Sequence, residues 1–316
     1  MLGGAALAHP ARAHRVAHRQ FEQGRDFPGV GPLKTLEPLR RGALTDMNSP
    51  LIDIARAPAP APQRIAPRPK TAEVLGVPLA LGDYERVMDW MDSTVTLREK
   101  ASVSAAAVHL VMVAQEDAKT RSAVDATTLV VPDGQPLVWA LRALGHEASR
   151  VYGPDLMAKY CERSAKTGVR MYLYGGRSQG ALVELALRLR HRFPGLQIVG
   201  GYSPPFRPLS DEEADWVVED INRSKADVVW VGIGQPKQEQ WIEQFRDRVD
   251  APLMVAVGAA FDFHAGLVPQ APAWMQRVGL EWLFRLRQEP KRLWKRYAKH
   301  NPRFVLGFAR QYARQR

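Results

Sequence analysis

The sequence predicts an α/β body with a Rossmann-like, mostly parallel sheet and helices on both faces. A basic helical appendage follows it and a disordered tail precedes it. Three observations carry this prediction. From residue 72, short β-branched or apolar runs alternate with longer amphipathic stretches, the signature of strand–helix–strand units. Runs such as Val228-Val-Trp-Val231 are apolar at every position, as in strands covered on both faces. Charge is also segregated: residues 1–70 carry a balance of +6, residues 71–269 of −5 and residues 270–316 of +10.

Five strands follow from the pattern. Thr127 to Val131 ends in Pro132-Asp133-Gly134, and Val169 to Tyr174 ends in Gly175-Gly176. Gln197 to Gly201 follows the turn Pro194-Gly195, Asp227 to Gly232 runs out at Gly234, and Pro252 to Gly258 is the fifth. Amphipathic helices are expected between them, from Ser178 to Phe193 and from Ser210 to Asn222. The latter opens with the capping pattern Ser210-Asp-Glu-Glu213. In such sheets ligands bind outside the carboxyl ends of the strands, so Asp133, Gly175, Gly176, Gly234 and Asp262 are expected to face one crevice.

The 316 residues carry a net charge of +11, which points to an anionic partner. The slightly acidic body argues against nucleic acid. Cys161 is the only cysteine, which excludes a disulfide scaffold and a multi-cysteine metal site within one chain. Residues 1–70 are rich in Ala, Pro, Arg and His, with the spacer Ala57-Pro-Ala-Pro-Ala-Pro62. They are read as a disordered tail, with Met47 an alternative start. The N-terminus is a poor secretory signal. No stretch of about 20 residues is apolar and charge-free, so no membrane span is expected; Val103 to Ala114 is too short.

Several motifs bear chemistry, and each has a plainer reading. Tyr172-Leu-Tyr-Gly-Gly-Arg-Ser-Gln-Gly180 offers main-chain N–H groups to a diphosphate at a helix start; it is equally a tight βα turn. It has neither the dinucleotide spacing nor the Gly-Lys-Ser/Thr of a P-loop. Asp133 follows a buried strand, where a general base could stand at the crevice mouth; Asp-Gly is also an ordinary turn. Gln235, Lys237 and Gln238 crowd a helix start after Gly234 and suit an anion or a sugar nucleotide. Asp262 and His264 follow the fifth strand and are weak evidence for a metal or relay. No Asp-x-Asp occurs, which removes the usual carboxylate pair for a divalent cation. No cofactor and no metal are expected.

In the appendage, Arg285, Arg292, Arg296, Lys299 and Arg303 recur on one helical face, interrupted by Pro290, and aromatics from Trp282 to Phe308 interleave with them. This fits contact with an anionic membrane surface or with a lipid-linked diphosphate. An ordinary solvated basic face is the plainer reading.

Taken in order, Asp133-Gly, Ser149-Arg-Val-Tyr-Gly-Pro-Asp-Leu156, Leu173-Tyr-Gly-Gly176, Phe193-Pro-Gly-Leu196, Gly232-Ile-Gly-Gln-Pro-Lys-Gln-Glu239, Gly258-Ala-Ala-Phe-Asp262 and Gly279-Leu-Glu-Trp-Leu283 resemble the WecG/TagA/CpsF family of glycosyltransferases. The likeness covers roughly residues 73–306. It implies an inverting, cytoplasmic transferase at the inner face of the membrane, moving a sugar from a UDP-sugar donor to a polyprenyl-diphosphate-linked acceptor in cell-surface or exopolysaccharide synthesis. It further implies that Asp133 is the base and that Arg150, Gln238 and Asp262 lie near the donor. Arg277 through Arg303 would meet membrane and lipid diphosphate. The family's Thr-x-Asn, in the helix before the Asp-Gly strand, aligns with Ala105 and Ala107 here, with Ser104 adjacent. Two other classes remain: a binding module for UDP-sugar or lipid without turnover, and a Rossmann-like oxidoreductase or methyltransferase. The sequence is compatible with a homo-oligomer.

Overall fold

The computed structural model describes residues 65–315. The expected tail and the alternative start at Met47 therefore lie almost wholly outside the described residues. Residues 65–70 are described, and they lie against the body: the Ala66 N–H donates to Ser93 Oγ at 2.8 Å.

Eight strands form one sheet: β1 (Thr71–Val74), β2 (Val77–Ala80), β3 (Ala101–Ala106), β4 (Leu129–Pro132), β5 (Arg170–Gly175), β6 (Gln197–Tyr202), β7 (Val228–Gly232) and β8 (Leu253–Ala256). Their order is β1-β2-β4-β3-β8-β7-β5-β6. The β1–β2 pair is antiparallel and every other neighbouring pair is parallel. The helices of the body are α1 (Tyr84–Leu97), α2 (Val108–Ala114), α3 (Ala118–Ala126), α4 (Gln135–Ala143), α5 (Gly153–Thr167), α6 (Gln179–Arg192), α7 (Asp211–Ser224), α8 (Lys237–Phe245) and α9 (Ala260–His264). The C-terminal segment adds α10 (Ala273–Arg277), α11 (Glu281–Gln288) and α12 (Pro290–Gln315).

The five expected strands are β4 to β8, within a residue or two. Three more were not expected. Of these, β3 is central, between β4 and β8, and all six of its residues are buried. Its composition, Ala-Ser-Val-Ser-Ala-Ala, has weak strand propensity, and its place in the sheet decides the matter. Ala105 therefore lies at the end of a strand and Ala107 caps the helix after it, not within one helix as aligned above.

Local chemistry fixes the helix starts. Ser210 accepts from the Glu213 N–H while the Glu213 carboxylate accepts from the Ser210 N–H, a complete capping box. Ser178 caps α6 through the Ala181 N–H. Pro290 opens α12, where its missing N–H has no helical partner to lose.

The chain passes from β4, on one side of β3, to β5 on the far side. At this change of direction the ends of β3, β4, β7 and β8 open a crevice. The appendage closes over it. Leu293 and Phe304 of α12 are buried, and α12 packs on α2. Near its far end Gln311 accepts from the Leu75 N–H and donates to the Glu73 carbonyl, at 2.8 and 2.9 Å. The predicted single basic face is divided by this packing. Lys299 and Arg303 both pair with Glu116, just after α2, whereas Arg285, Arg292 and Arg296 turn to the crevice. No helix of the described residues is long and apolar enough to cross a membrane.

Gly175 shows how tightly the strand ends meet. Its φ is +137°, and a Cβ there would stand 2.5 Å from the Gly232 carbonyl oxygen. Gly175→Ala is expected to destabilise the fold by about 2 kcal/mol or more, read as a lower midpoint in urea unfolding.

Candidate active site

A cavity of about 920 Å³ occupies the crevice, a size typical of small-molecule sites. Asp133, Gly176, Gly234, Gln235, Lys237, Asp262, Arg285, Arg292 and Arg296 all line it. Gly175 lies beneath, against Gly232. Ser104, Arg150 and Gln238 stand behind the wall, and Arg277 is exposed at the end of α10. Gly175, Ser104, Arg150, Gln238 and Arg277 do not line the cavity.

Asp133 follows β4 directly, and its N–H donates to the Ala106 carbonyl at 2.9 Å. Its side chain is 18% exposed. Oδ2 accepts from the Gly153 N–H at 3.3 Å, and Oδ1 lies 3.6 Å from Arg150 Nη2. Burial pushes the carboxyl pKa up to about 7; Arg150 opposes the rise and the Glu281 carboxylate adds to it. This is where a general base is most effective at neutral pH.

Arg150 is held on three sides. Its Nε donates to the Asp133 carbonyl, its Nη2 pairs with Glu281 Oε2 at 2.5 Å, and its guanidinium lies 4.2 Å from the Tyr152 ring centroid. Tyr84, from α1, accepts from the Tyr152 N–H at 3.1 Å and donates to Asp155 at 3.3 Å. The segment carrying Arg150 is thus fixed against α1 as well as β4.

Ser104 and Gln238 meet through Glu239, the last residue of the quoted Gly232-to-Glu239 motif, which was not among the expected site residues. The Ser104 hydroxyl donates to Glu239 Oε1 at 2.7 Å, and Gln238 Nε2 donates to the same oxygen at 2.9 Å. Gln238 Oε1 then accepts from the Gly258 N–H at 3.0 Å. All three side chains are buried. They shape the floor: the Glu239 carboxylate joins β3 to the start of α8, and the Gln238 amide extends the link to the exit of β8. Burial raises the Glu239 pKa. Gln235 adds a bond from Nε2 to the Ala105 carbonyl at 2.7 Å.

Asp262 is paired with Arg177 through two bonds, at 3.0 and 2.9 Å. His264 does not face it; its Nε2 meets the Pro154 carbonyl at 2.8 Å. Among the described residues no group of three or more His, Cys, Asp or Glu side chains is placed to hold a metal.

The appendage adds three arginines to the cations that the body supplies at Lys119, Arg177, Arg207 and Lys237. Arg285 reaches in from α11, stacked over Phe263 at 5.7 Å, and Arg292 and Arg296 come from α12. Burial pushes the Arg296 guanidinium down to about 10. Arg177, Glu281 and Glu289 were missed in the sequence. For the two glutamates a signal existed: they are the only acids among residues 270–316, against 12 Lys and Arg. Both reach arginines at the site, Glu281 to Arg150 and Glu289 to Arg177 and Arg292.

Glu239→Ala is expected to leave the Ser104 hydroxyl and a Gln238 N–H buried without an acceptor. A loss of about 2–4 kcal/mol should follow, measured by chemical denaturation. Glu239→Gln keeps an acceptor oxygen and should lose less.

A family model described as Glycosyl transferase WecG/TagA/CpsF family matches residues 72–316.

Proposed function

From the chain's membership of the WecG/TagA/CpsF glycosyltransferase family, we propose that it is an inverting transferase using a UDP-sugar and a polyprenyl-diphosphate-linked saccharide in cell-surface polysaccharide synthesis. The observation that carries this reading is the pairing, across one cavity, of Asp133 with a wall of arginines. A carboxylate with a pKa of about 7 suits the removal of a proton from a sugar hydroxyl. The arginines suit the charge that appears on a departing diphosphate.

In the proposed reaction an acceptor hydroxyl gives its proton to the Asp133 carboxylate as its oxygen bonds to the donor's anomeric carbon. The bond from that carbon to the diphosphate oxygen breaks on the opposite side, and its electron pair leaves with UDP. One displacement inverts the anomeric centre. Arg285, Arg292 and Arg296 receive the diphosphate charge and Lys237 supplies further donors; the Gly176 N–H, expected to help, is instead bound to the Gly232 carbonyl at 3.1 Å. Asp133 then returns its proton to water.

The appendage also supports peripheral attachment to the inner face of the cell membrane. Trp274, Trp282, Leu283 and Trp294 are 56, 38, 45 and 53% exposed, and Arg277, Arg287, Lys291 and Lys295 are exposed beside them. Aromatics with cations form the usual interfacial anchor.

A second reading has one observation in its favour. Ala105 and Ala107 line the cavity where the family motif recognised in the sequence has polar side chains, which suits a module that binds the sugar nucleotide without turnover. UDP release from a panel of UDP-sugars, with a synthetic polyprenyl-diphosphate acceptor and EDTA present, separates the two. Acceptor-dependent release supports the transferase; tight UDP binding with no release supports the module.

Two outcomes are expected of the transferase. Asp133→Asn should fold and lose at least about 100-fold in kcat. The wild-type kcat/KM should rise with pH through about 7, because the base works only after losing its proton and burial has raised its pKa to that value. A variant with Trp282 and Trp294 changed to Ser should bind anionic vesicles less tightly in co-sedimentation, with its UDP affinity unchanged.

A further inference from the structure

One nitrogen in the site has two carboxylate neighbours. Arg150 Nη2 lies 2.5 Å from Glu281 Oε2 and 3.6 Å from Asp133 Oδ1. The guanidinium cannot move far, since Nε is bound to the Asp133 carbonyl and the face is stacked on Tyr152. The arrangement decides which carboxylate receives the short contact, and Glu281 receives it. A carboxylate in close contact with an arginine is a weak base, because the ion pair favours its charged form. Among the described residues, the Asp133 carboxylate has only the long contact and the Gly153 N–H.

We propose that Glu281 is a positioning residue for the base: it draws the Arg150 guanidinium off Asp133, so that Asp133 is ready to take a proton only while α11 is docked. The inference rests on Asp133 being the base of the proposed transfer. Glu281 sits in the first turn of α11, and α11 is seated by a close approach. Gly279 has φ +72°, and a Cβ there would stand 2.7 Å from the Trp139 ring. The side chains of Glu281 and Arg150 are 12 and 16% exposed, so water screens their contact little.

The groups facing Asp133 come from three directions. Arg150, Tyr152 and the Gly153 N–H lie around the start of α5, Tyr84 comes from α1, and Glu281 and Arg285 come from α11. Burial is the largest influence and raises the Asp133 pKa; Arg150, Gly153 and Arg285 lower it, and Glu281 raises it. Burial keeps both tyrosines in their neutral form. Losing the Glu281 charge removes a like charge and releases Arg150 toward Asp133. Both effects lower the Asp133 pKa.

The test reads Asp133 directly in the full chain, by carboxyl 13C NMR, with its resonance identified by its loss in Asp133→Asn. Glu281→Gln is expected to lower the Asp133 titration by about one pH unit, and the acid limb of kcat/KM should move down with it. Glu281→Asp, which reaches less far toward Arg150, should lower it part of the way and serves if Glu281→Gln fails to fold. Arg285→Gln, on the same helix, should move the titration up. Opposite signs from two changes on α11 distinguish electrostatics from a loosened helix. An Asp133 titration unmoved by Glu281→Gln, or moved the same way by both substitutions, overturns the inference. Because NMR needs no turnover, it judges Glu281 separately from the transferase reading, which fails on its own if Asp133→Asn remains fully active.

Discussion

The buried Glu239 carboxylate is the junction on which the crevice depends. Oε1 accepts from Ser104 on β3 and from Gln238 beside it on α8, and Gln238 in turn fixes the main chain leaving β8 at Gly258. Three strand–loop junctions are thereby held in one register. A buried carboxylate is unfavourable unless its lone pairs are used. Here two donors meet one oxygen, while Oε2 has no partner among the described residues. The floor is rigid because loosening any one element leaves polar groups unpaired in the others. The walls, made by residues after the strand ends, inherit their positions from it.

Above this floor, two chain segments share the charge. The body supplies acids at Asp133 and Asp262 and cations at Lys119, Arg177, Arg207 and Lys237, and the appendage supplies Arg285, Arg292 and Arg296. Arg150 and Arg177 on the body meet Glu281 and Glu289 on the appendage, and these pairs form the cross-links. The segment with a balance of +10 is therefore more than a solvated basic face. Lys299 and Arg303 secure it to Glu116, Gln311 fastens it to the first hairpin, and its three inner arginines are left to the cavity.

The legible part of the site was the part that follows strands. Asp133, Gly176, Gln235, Lys237 and Asp262 could be placed around one crevice because a parallel sheet sends every strand end to the same side. What sequence could not show were contacts between distant segments of equal plausibility. Arg150 and Glu281 are 131 residues apart; the rarity of acids in the basic segment marks Glu281, but nothing local says which arginine it meets. Ser104 was noted beside Ala105, where the family has polar side chains, but strand alternation sends its hydroxyl to Glu239, a fact that needs β3 to be known as a strand. That strand was hidden by its own composition: Ala and Ser suit a crowded sheet centre and carry little period. The β1–β2 hairpin, at an edge, was obscured for a related reason, since its four-residue strands are too short to show alternation.

The closure of the molecule by α12 also bears on how it is made. The residues that complete the cavity wall, and the glutamine that clasps the β1–β2 hairpin, leave the ribosome after every strand of the sheet. All eight strands are therefore made before the appendage arginines and Glu281. Until that segment emerges, the crevice lacks one wall, and on the inference above Asp133 is the carboxylate left beside Arg150 among the described residues. One late segment thus both clasps the sheet edge and completes the cavity, and it works as a seal on a sheet already made.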